Sequence, residues 1–254
     1  MSDNRFNFLG VQVSVINPAV AIEKIKAYPF TSPAYICFPD ASVVKEASTD
    51  PFLKDILNAA WLTMPDGKPS QLAGRLMGHR AVTTVSGFHL CKALLQTDLT
   101  HYFYGGSDEI LPALQKNLHS QFPNARILGF KSPPFVSTKE ISTHPQIAED
   151  IAAINRLKPD LVWIGISSPK QDYLMHAFHQ QLDKSLMMGV GGVFLYLSDE
   201  SLKSPEWVKK AGLRWAYRLS KEPKRLWPKY YATGRFLVRH SPFFLKLLVS
   251  KKKQ

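Results

Sequence analysis

Cysteine is scarce in this chain of 254 residues, which has only Cys37 and Cys91. Two thiols inside apolar stretches argue against a disulfide framework and a cysteine-based metal site, so we expect buried free thiols. Long apolar runs are also missing, because no stretch approaches the roughly 20 apolar residues that a membrane-spanning helix requires. Residues 1–7 lack the charged and then apolar pattern of a secretory signal. We therefore expect the protein to stay in the cytoplasm.

Signatures of metal and nucleotide-cofactor chemistry are absent as well. The sequence has no Asp-x-Asp, His-Glu-x-x-His or Cys-x-x-Cys motif, and no phosphate-loop or Gly-x-Ser-x-Gly signature. The full dinucleotide fingerprint is missing, which makes a nicotinamide cofactor a weak interpretation. His176 and His179 form the one close histidine pair, and a solvated helix face explains it better than a metal does. We expect neither a metal nor a cofactor.

Acidic residues are nearly missing from residues 203–254. This segment holds 15 of the 32 Lys and Arg residues but only Glu206 and Glu222 among the 20 acidic ones. Its net charge is +13, whereas residues 1–202 carry −1. We therefore divide the chain into a near-neutral domain, 1–202, and a cationic, aromatic-rich appendage, 203–254. So sharp a split predicts a local partner that is anionic and partly apolar.

Short apolar runs alternate with helical patterns along the first domain. Continuous apolar runs are typical of strands covered on both faces, so the alternation predicts an α/β fold with a Rossmann-like, mostly parallel sheet flanked by helices. The predicted strands are Leu9–Ser14, Ala34–Phe38, Trp61–Thr63, Tyr102–Tyr104, Arg126–Gly129, Leu161–Ile166 and Leu186–Val190. The predicted helices are Pro18–Ala27, Pro51–Ala60, Pro69–Gly78, Gly87–Leu95, Asp108–Gln121, Pro145–Leu157 and Pro169–Gln181.

The loops after strands are the places to look for chemistry, because ligands of open parallel sheets collect at the carboxyl ends of the strands. Asp66 and Gly67 follow a short strand, although Asp-Gly is common in ordinary turns. Ser168, Lys170 and Gln171 lie at a strand-to-helix junction suited to a phosphate or a sugar hydroxyl. The alternative there is an N-cap, with Ser168 capping a helix that starts at the following proline, beside two solvated side chains.

Two glycine-bearing turns also follow strands, one at Gly105 and Gly106 and one at Gly189, Gly191 and Gly192. Glycine lets the backbone approach a ligand closely, but it also serves simply to make a turn. Spacing alone leaves both interpretations open.

The appendage begins with a helix-start signal at Ser204. Trp207, Trp215 and Leu219 belong to an apolar stripe of period four that runs beside a cationic stripe, which predicts one amphipathic helix. Prolines at 223 and 228 then divide the rest into short segments. Anionic lipid, nucleic acid and an acidic face of the same protein all fit such a tail, as does simple packing on the body. We rank an anionic membrane surface first and expect no nucleic acid, because the leucine-rich segment 243–249 adds little to phosphate binding.

Five segments in order resemble the bacterial glycosyltransferase family of the WecG/TagA/CpsF type. They are Asp66-Gly67, Gly105-Gly106, residues 165–171, residues 189–194 and the tail segments between 205 and 227. The resemblance runs from about residue 8 to residue 231, and the ordered set is far more specific than any one segment. It implies a compact Rossmann-like transferase whose C-terminal appendage meets the membrane.

The resemblance also implies an activity. Family members move a sugar from a UDP-sugar donor to a polyprenyl-diphosphate-linked sugar in surface-polysaccharide biosynthesis, with inversion and without a required metal. The sugar is typically N-acetylmannosamine or its uronic acid, and glucose is a further candidate here. We therefore expect a peripheral protein on the inner face of the cell membrane, with assembly into a homo-oligomer left open.

Site roles follow from the resemblance residue by residue. Asp66 matches the proposed general base, which takes the proton of the acceptor hydroxyl. Gln171 matches a position that orients sugar hydroxyls, and the turn at 189–192 would lie against the nucleotide. Arg218 and Arg225, with helix N-termini, would offset the charge of the leaving UDP. The remaining expected substrate-binding residues are Asp40, Gly67, Gly105, Gly106, Lys170, Gly189, Gly191 and Gly192.

The chain also departs from the family pattern. Where many relatives have Thr-x-Asn, this chain has Phe38, Pro39 and Asp40, and Thr84 and His89 replace an arginine and an aspartate. These changes alter the charge of the expected donor pocket. They support a second hypothesis, a non-catalytic, membrane-associated module that binds a UDP-sugar or a lipid-linked glycan.

Overall fold

The computed structural model of the protein describes residues 4–202, 204–205, 207–208, 211 and 213–251. Its centre is a six-stranded, fully parallel sheet with the strand order β4-β3-β8-β7-β5-β6. The strands of this sheet are β3 (Pro33–Cys37), β4 (Leu62–Thr63), β5 (Thr100–Gly105), β6 (Arg126–Lys131), β7 (Leu161–Gly165) and β8 (Ser185–Gly189). The predicted α/β fold with a parallel sheet is confirmed.

Helices cover both faces of the sheet. The helices of the body are α1 (Pro18–Lys26), α2 (Ala41–Ala47), α3 (Pro51–Ala59), α4 (Lys68–Leu76), α5 (Gly87–Leu94), α6 (Leu111–Gln121), α7 (Pro145–Leu157), α8 (Lys170–His179) and α9 (Val193–Ser198), followed by a 3-10 turn at Glu200–Leu202. One core layer contains side chains of α2, α3, α4, α7 and α8, and the opposite layer contains side chains of α1, α5, α6 and α9. The two cysteines are free and buried in these layers, as expected.

The first predicted strand lies outside the main sheet. The strands β1 (Arg5–Phe8) and β2 (Val11–Ser14) form a separate antiparallel hairpin. The expectation that residues 9–14 form a strand of the parallel sheet is therefore wrong. Leu9 and Gly10 both have positive φ, which is typical of a two-residue hairpin turn. The Arg5 guanidinium donates to the carbonyl oxygens of Ala60 and Trp61 at 2.6 and 2.9 Å, and this attaches the hairpin to the end of α3.

In the described part of the tail, Trp207 and Val208 are helical, and three longer helices follow: α10 (Arg214–Lys221), α11 (Pro223–Arg239) and α12 (Ser241–Lys251). The predicted single helix from Ser204 to Leu219 is wrong, since Ala211 lies in a turn and Leu213 is outside any helix. Lys210 of the predicted cationic stripe and Glu206 lie outside the described residues. The predicted break at Pro228 is also wrong, because α11 runs through it.

Packing on the body holds the tail helices in place. Helix α11 contacts α2, and α12 contacts α4. Leu226 is buried, and Phe236, Phe243 and Phe244 pack against the same core layer as α2 and α4. This burial offsets the hydrogen bond that Pro228 removes from α11. In the part of the chain that the structure describes, no helix is long and apolar enough to cross a membrane.

Close backbone packing at Gly105 gives the first prediction. A Cβ on Gly105, whose φ is +142°, would lie 2.5 Å from the backbone of Gly165 on the neighbouring strand. We expect Gly105→Ala to lower the free energy of unfolding by about 2–4 kcal/mol, since backbone atoms cannot move aside and the conformation disfavours a side chain. Gly234→Ala is the matched control. Gly234 lies within α11 with open space around it, so this change should stabilise by about 0.5–1 kcal/mol. Urea unfolding measures both, and equal stability of the two variants would contradict the packing argument.

Candidate active site at the carboxyl edge of the sheet

The parallel strands bring the predicted site loops to one edge of the sheet. Asp40 follows β3, Asp66 follows β4, and Gly106 follows β5. Gln171 follows β7, and the glycine turn at residues 189–192 begins at the end of β8. Because β4, β3, β8, β7 and β5 are consecutive neighbours, these loops form one continuous row. The edge therefore collects the body residues that the resemblance assigns to the site.

Asp66 is half-buried between the edge strand β4 and helix α4. Its backbone carbonyl accepts a hydrogen bond from the Ser70 hydroxyl at 3.0 Å, which ties the loop to the first turn of α4. Gly67 occupies the N-cap of α4 with φ +81°, a conformation that favours glycine. The loop after β4 is thus fixed at both sides of Asp66.

Asp40 acts as a helix cap. Its carboxylate accepts hydrogen bonds from the backbone N–H groups of Ser42 and Val43, at 2.8 and 3.0 Å, at the start of α2. The carboxylate is half-buried, and its charge reaches Asp172 and Tyr230. A substrate contact by Asp40 would use its second oxygen, because the first already holds the helix start.

The glycines of the two turns differ in what they do. Gly189 is buried, and a Cβ there would lie 2.6 Å from the Met175 methyl group. Gly192 is exposed and has open space around it, and Gly191 has φ +58°. Gly106 continues the pairing of β5 with β7, since its N–H donates to the Gly165 carbonyl at 3.0 Å. Only the 191–192 part of the longer turn therefore offers free backbone to a ligand.

Gln171 is the centre of a buried hydrogen-bond network. Its side chain is almost fully buried, and its amide nitrogen donates to the Gly189 carbonyl at 2.7 Å and to the Ser168 hydroxyl at 2.6 Å. The amide oxygen Oε1 has no hydrogen-bond partner among the described residues. Ser168 consequently does not make the predicted N-cap bond. Helix α8 starts after Pro169 without a side-chain cap.

Sequence reasoning missed Asp172, which lies next to Gln171 in the first turn of α8 and is 1% exposed. Its pKa is raised to about 7, mainly by burial and in a smaller part by the nearby charge of Asp40, while hydrogen bonds from the Cys37 thiol and the Ser168 hydroxyl act in the opposite direction. The Asp172 charge also raises the pKa values of Tyr35 and Tyr173. The order Gln-Asp after a strand was the only available signal, and it does not reveal burial.

Lys170 lies on the outer side of the same helix start. Its ammonium group stands 4.9 Å from the centre of the Phe135 ring, and Phe135 is otherwise fully exposed. A cation–π contact at the surface contributes about 0.5–1 kcal/mol, so the lysine can exchange this contact for an anionic ligand at small cost.

The tail brings two arginines to the same side of the molecule. Arg218 of α10 and Arg225 of α11 both lower the pKa of the half-buried Tyr230, whereas burial and the charges of Asp40 and Tyr196 raise it. Arg225 also forms a surface ion pair with Glu222. Such exposed pairs contribute about 0–1 kcal/mol, so either arginine can turn to an anion. The charge contacts bring the tail arginines near the start of α2 and near α9.

The histidine pair belongs to aromatic packing. The His176 ring stands edge-on to Phe52, with 5.4 Å between ring centres, and the His179 ring stands against Tyr35 at 5.5 Å. Within the described ranges, no group of three or more His, Cys, Asp or Glu side chains is arranged to hold a metal ion.

The second prediction concerns the stability cost of Asp172. In the unfolded chain this carboxyl group titrates near pH 3.9, whereas its pKa in the folded protein is raised to about 7. The folded state therefore binds the extra proton between these values, and this contribution to stability falls as the pH rises through that window and stays low above it. We expect Asp172→Asn to be more stable than the wild type at pH 8 by on the order of 2–4 kcal/mol, with little difference at pH 4. Denaturant unfolding at both pH values measures this, and a variant less stable at pH 8 would contradict it.

Comparison with known proteins assigns the family. The family model described as "Glycosyl transferase WecG/TagA/CpsF family" matches residues 6–254. A Bacillus subtilis (strain 168) protein named N-acetylglucosaminyldiphosphoundecaprenol N-acetyl-beta-D-mannosaminyltransferase is 26% identical over 234 residues, 91% of this chain and 78% of the relative. A Staphylococcus aureus (strain MW2) protein of the same name is 21% identical over 257 residues, 98% of this chain and 94% of the relative. The match over nearly the whole length shows that this chain is a glycosyltransferase and belongs to the WecG/TagA/CpsF family.

Proposed function

We propose that this enzyme transfers an N-acetylmannosamine-type sugar from a UDP-sugar to a polyprenyl-diphosphate-linked sugar in bacterial surface-polysaccharide biosynthesis. The names of the Bacillus and Staphylococcus relatives support this sugar and this acceptor class. The observation that carries the proposal is the row of loops at the carboxyl edge, where a half-buried carboxylate, a buried glutamine and a glycine turn adjoin tail arginines. These groups match what a sugar, a diphosphate and an attacking hydroxyl each require.

The transfer is a single displacement with inversion. The acceptor hydroxyl oxygen attacks the anomeric carbon, the bond from that carbon to the UDP oxygen breaks, and UDP leaves with the electron pair. Asp66 takes the proton of the attacking hydroxyl. Strands β4 and β8 are separated by β3 alone, so about 9–10 Å separate the two strand ends. This spacing accommodates a hexose ring between Asp66 and the Gln171 side of the row.

The leaving diphosphate requires positive charge. Lys170, Arg218 and Arg225 supply it in our proposal, together with the N-terminus of α8, whose free N–H groups and dipole favour anions. This arrangement supports catalysis without a metal, in which fixed cations stabilise the charge that develops on UDP.

Tail aromatics support docking to an anionic membrane surface. Trp215, Trp227 and Tyr231 are each more than half exposed, and the net positive charge of the chain lies in the tail. A groove of about 640 Å³ on the tail is lined mainly by apolar groups, including Leu219, Pro223 and Trp227. Basic side chains near anionic lipid contribute about 1 kcal/mol each, while aromatic rings enter the interface. We therefore propose that residues 203–254 form an appendage that holds the enzyme peripherally on the cytoplasmic face.

Phe38, which departs from the family pattern, supports a second candidate function. Phe38 is 8% exposed and packs in the core layer of α1 and α5, so it offers no polar group at the end of β3. A module that binds the UDP-sugar without transferring it fits this loss. Tight UDP-sugar binding without turnover of any lipid-linked acceptor would favour that function.

The third prediction tests the base. Asp66→Asn should lower the rate of UDP release from UDP-N-acetylmannosamine by about 10²-fold or more, because general base catalysis contributes this much. The assay contains N-acetylglucosaminyl-diphospho-undecaprenol and EDTA. Asp98→Asn is the matched control, since Asp98 is exposed and precedes β5 at the opposite end of the sheet. Equal rates for wild type and Asp66→Asn would remove Asp66 as the base, and loss of wild-type activity in EDTA would contradict metal independence.

The fourth prediction tests the membrane contact. Deleting the tail is a poor test, because Phe244 packs against Phe8, with 6.3 Å between ring centres, and its removal would open the core. The double change Trp215→Ser and Trp227→Ser should instead reduce binding to vesicles of anionic phospholipid by about tenfold or more. Phe52→Ser is the matched control, because Phe52 is 54% exposed on the body, as Trp215 is on the tail. Sedimentation with vesicles measures binding, and unchanged binding of the double variant would contradict the docking surface.

A further inference from the structure

We infer that Ser168 and Asp172 are positioning residues that orient the Gln171 side chain so that its oxygen Oε1 accepts a hydrogen bond from the donor sugar. The inference rests on the proposed function, because the ligand is the UDP-sugar. It adds what the ligand must present at this point, which is an O–H or N–H group.

The neighbours of Gln171 decide which end of its amide faces which way. The amide nitrogen lies 2.7 Å from the Gly189 carbonyl oxygen and 2.6 Å from the Ser168 hydroxyl oxygen. A carbonyl oxygen only accepts hydrogen bonds, so a flipped amide would bring two acceptors together at Gly189. The NH₂ group therefore faces Gly189 and Ser168, and both of its hydrogens are used.

Asp172 determines the direction in which the Ser168 hydroxyl proton points. The Ser168 hydroxyl hydrogen-bonds both Gln171 and the Asp172 carboxyl group. The Ser168 oxygen accepts from the Gln171 amide, so the Ser168 proton is left for Asp172, and a carboxyl group offers an accepting oxygen whether or not it is ionised. The Cys37 thiol donates to the same carboxylate from the end of β3. The two hydrogen bonds therefore have the same direction: Gln171 donates to Ser168, and Ser168 donates to Asp172.

Oε1 is the only hydrogen-bonding atom of Gln171 left for a ligand. It has no partner among the described residues, although the side chain is 2% exposed. A buried acceptor without a partner costs about 1–3 kcal/mol, which a ligand donor would recover. A Cβ on Gly191 would lie 3.6 Å from Oε1, so the glycine turn lies directly beside this oxygen.

The required donor identifies the part of the ligand. Phosphate oxygens of an ionised diphosphate only accept, so they do not match Oε1. Sugar hydroxyls and an acetamido N–H do match. The uracil N–H and the ribose hydroxyls are donors too, but two phosphates separate them from the anomeric carbon at which Asp66 acts. The Gln171 amide bonds Gly189 at the end of β8, and the ends of β8 and β4 are about 9–10 Å apart, a span that a hexose can fill.

A binding comparison on the full-length protein tests the inference. We expect Ser168→Ala to weaken binding of UDP-N-acetylmannosamine about tenfold while leaving binding of UDP within about twofold, as loss of one oriented hydrogen bond predicts. Asp172→Ala, which removes the acceptor of the Ser168 proton, should weaken binding of UDP-N-acetylmannosamine in the same direction. The double variant should be no weaker than the worse single variant, because both changes break one chain. Isothermal titration calorimetry measures all affinities.

Two further variants serve as controls. Ser168→Thr keeps the hydroxyl and should restore binding of UDP-N-acetylmannosamine. Asp160→Ala is matched to Asp172→Ala, because Asp160 also accepts from a hydroxyl group, that of Thr100 at 2.7 Å, but at the opposite end of the sheet. It should leave both affinities unchanged.

Three outcomes would overturn the inference. Equal weakening of UDP and UDP-N-acetylmannosamine by Ser168→Ala would show that Oε1 meets the nucleotide. Unchanged affinities in Ser168→Ala and Asp172→Ala would show that the chain of bonds serves the fold alone. A wild-type protein that binds neither ligand would overturn the proposed donor and the inference together.

Discussion

The pairing of β3 with β8 is the constraint on which the rest of the site depends. Pro33 pairs with Ser185, 152 positions later, and the register continues to Ile36 and Met188. Closing so long a loop costs conformational entropy, which the burial of these strands on both faces offsets. Because the pairing is parallel, the ends of β3 and β8 reach the same edge. Without it, the loops that carry Asp40 and Asp66 would not adjoin the glycine turn.

Asp172 illustrates how such an edge differs from the rest of the core. An apolar or amide side chain at this position would avoid the cost of burying a carboxylate, which its raised pKa of about 7 reflects. The folded protein instead keeps a carboxyl group beneath Gln171, with the thiol of Cys37 and the hydroxyl of Ser168 as its donors. By contrast, Asp160 at the opposite end is half-buried and bonded to Thr100 and Lys184, and its pKa is lowered. Asp160 therefore stabilises the folded protein, whereas the buried Asp172 carboxyl group lowers its stability. The positioning role that we infer for Asp172 gives a reason for this cost.

Sequence patterns predicted the parts of the fold that depend on local periodicity. The strands of the main sheet and the helices between them follow from apolar runs and their boundaries, and so does the position of the strand-end loops. Helix α2 was missed, because its seven residues are too short for a clear period. The sequence analysis assigned Asp40 to substrate binding and did not predict that it caps this helix. The predicted tail helix is too long, because a four-residue repeat does not show that the backbone turns at Ala211.

The site depended on contacts that no spacing shows. Asp66 and Gln171 were assigned through the family pattern, and their roles stay predictions. Burial of Asp172 and the direction of the Gln171 amide arise from packing between β3, β8 and α8, whose segments are far apart in the chain. From the sequence, an N-cap was one of two open interpretations of Ser168, because a serine before a proline commonly starts a helix. Its hydroxyl bonds a side chain instead, so a common local rule gave way to a long-range network.

Helix α11 separates the two tasks that the tail arginines can have. Leu226 and Tyr230, four residues apart, face the body, whereas Trp227 and Tyr231, one position further along, are exposed and stack on each other. Arg218 and Arg225 lie within charge contact of Tyr230, on the side that adjoins the strand ends.

Arg235 lies instead over the ring of Tyr231, with 5.8 Å between its guanidinium carbon and the ring centre. Helix α11 therefore has Arg225 near Tyr230, beside Arg218 of α10, and an aromatic stripe with Arg235 on another side. This division supports diphosphate contact by Arg218 and Arg225, and lipid contact by Arg235 with Trp227 and Tyr231. In the proposed function, α11 thus links docking on the membrane to completion of the active site.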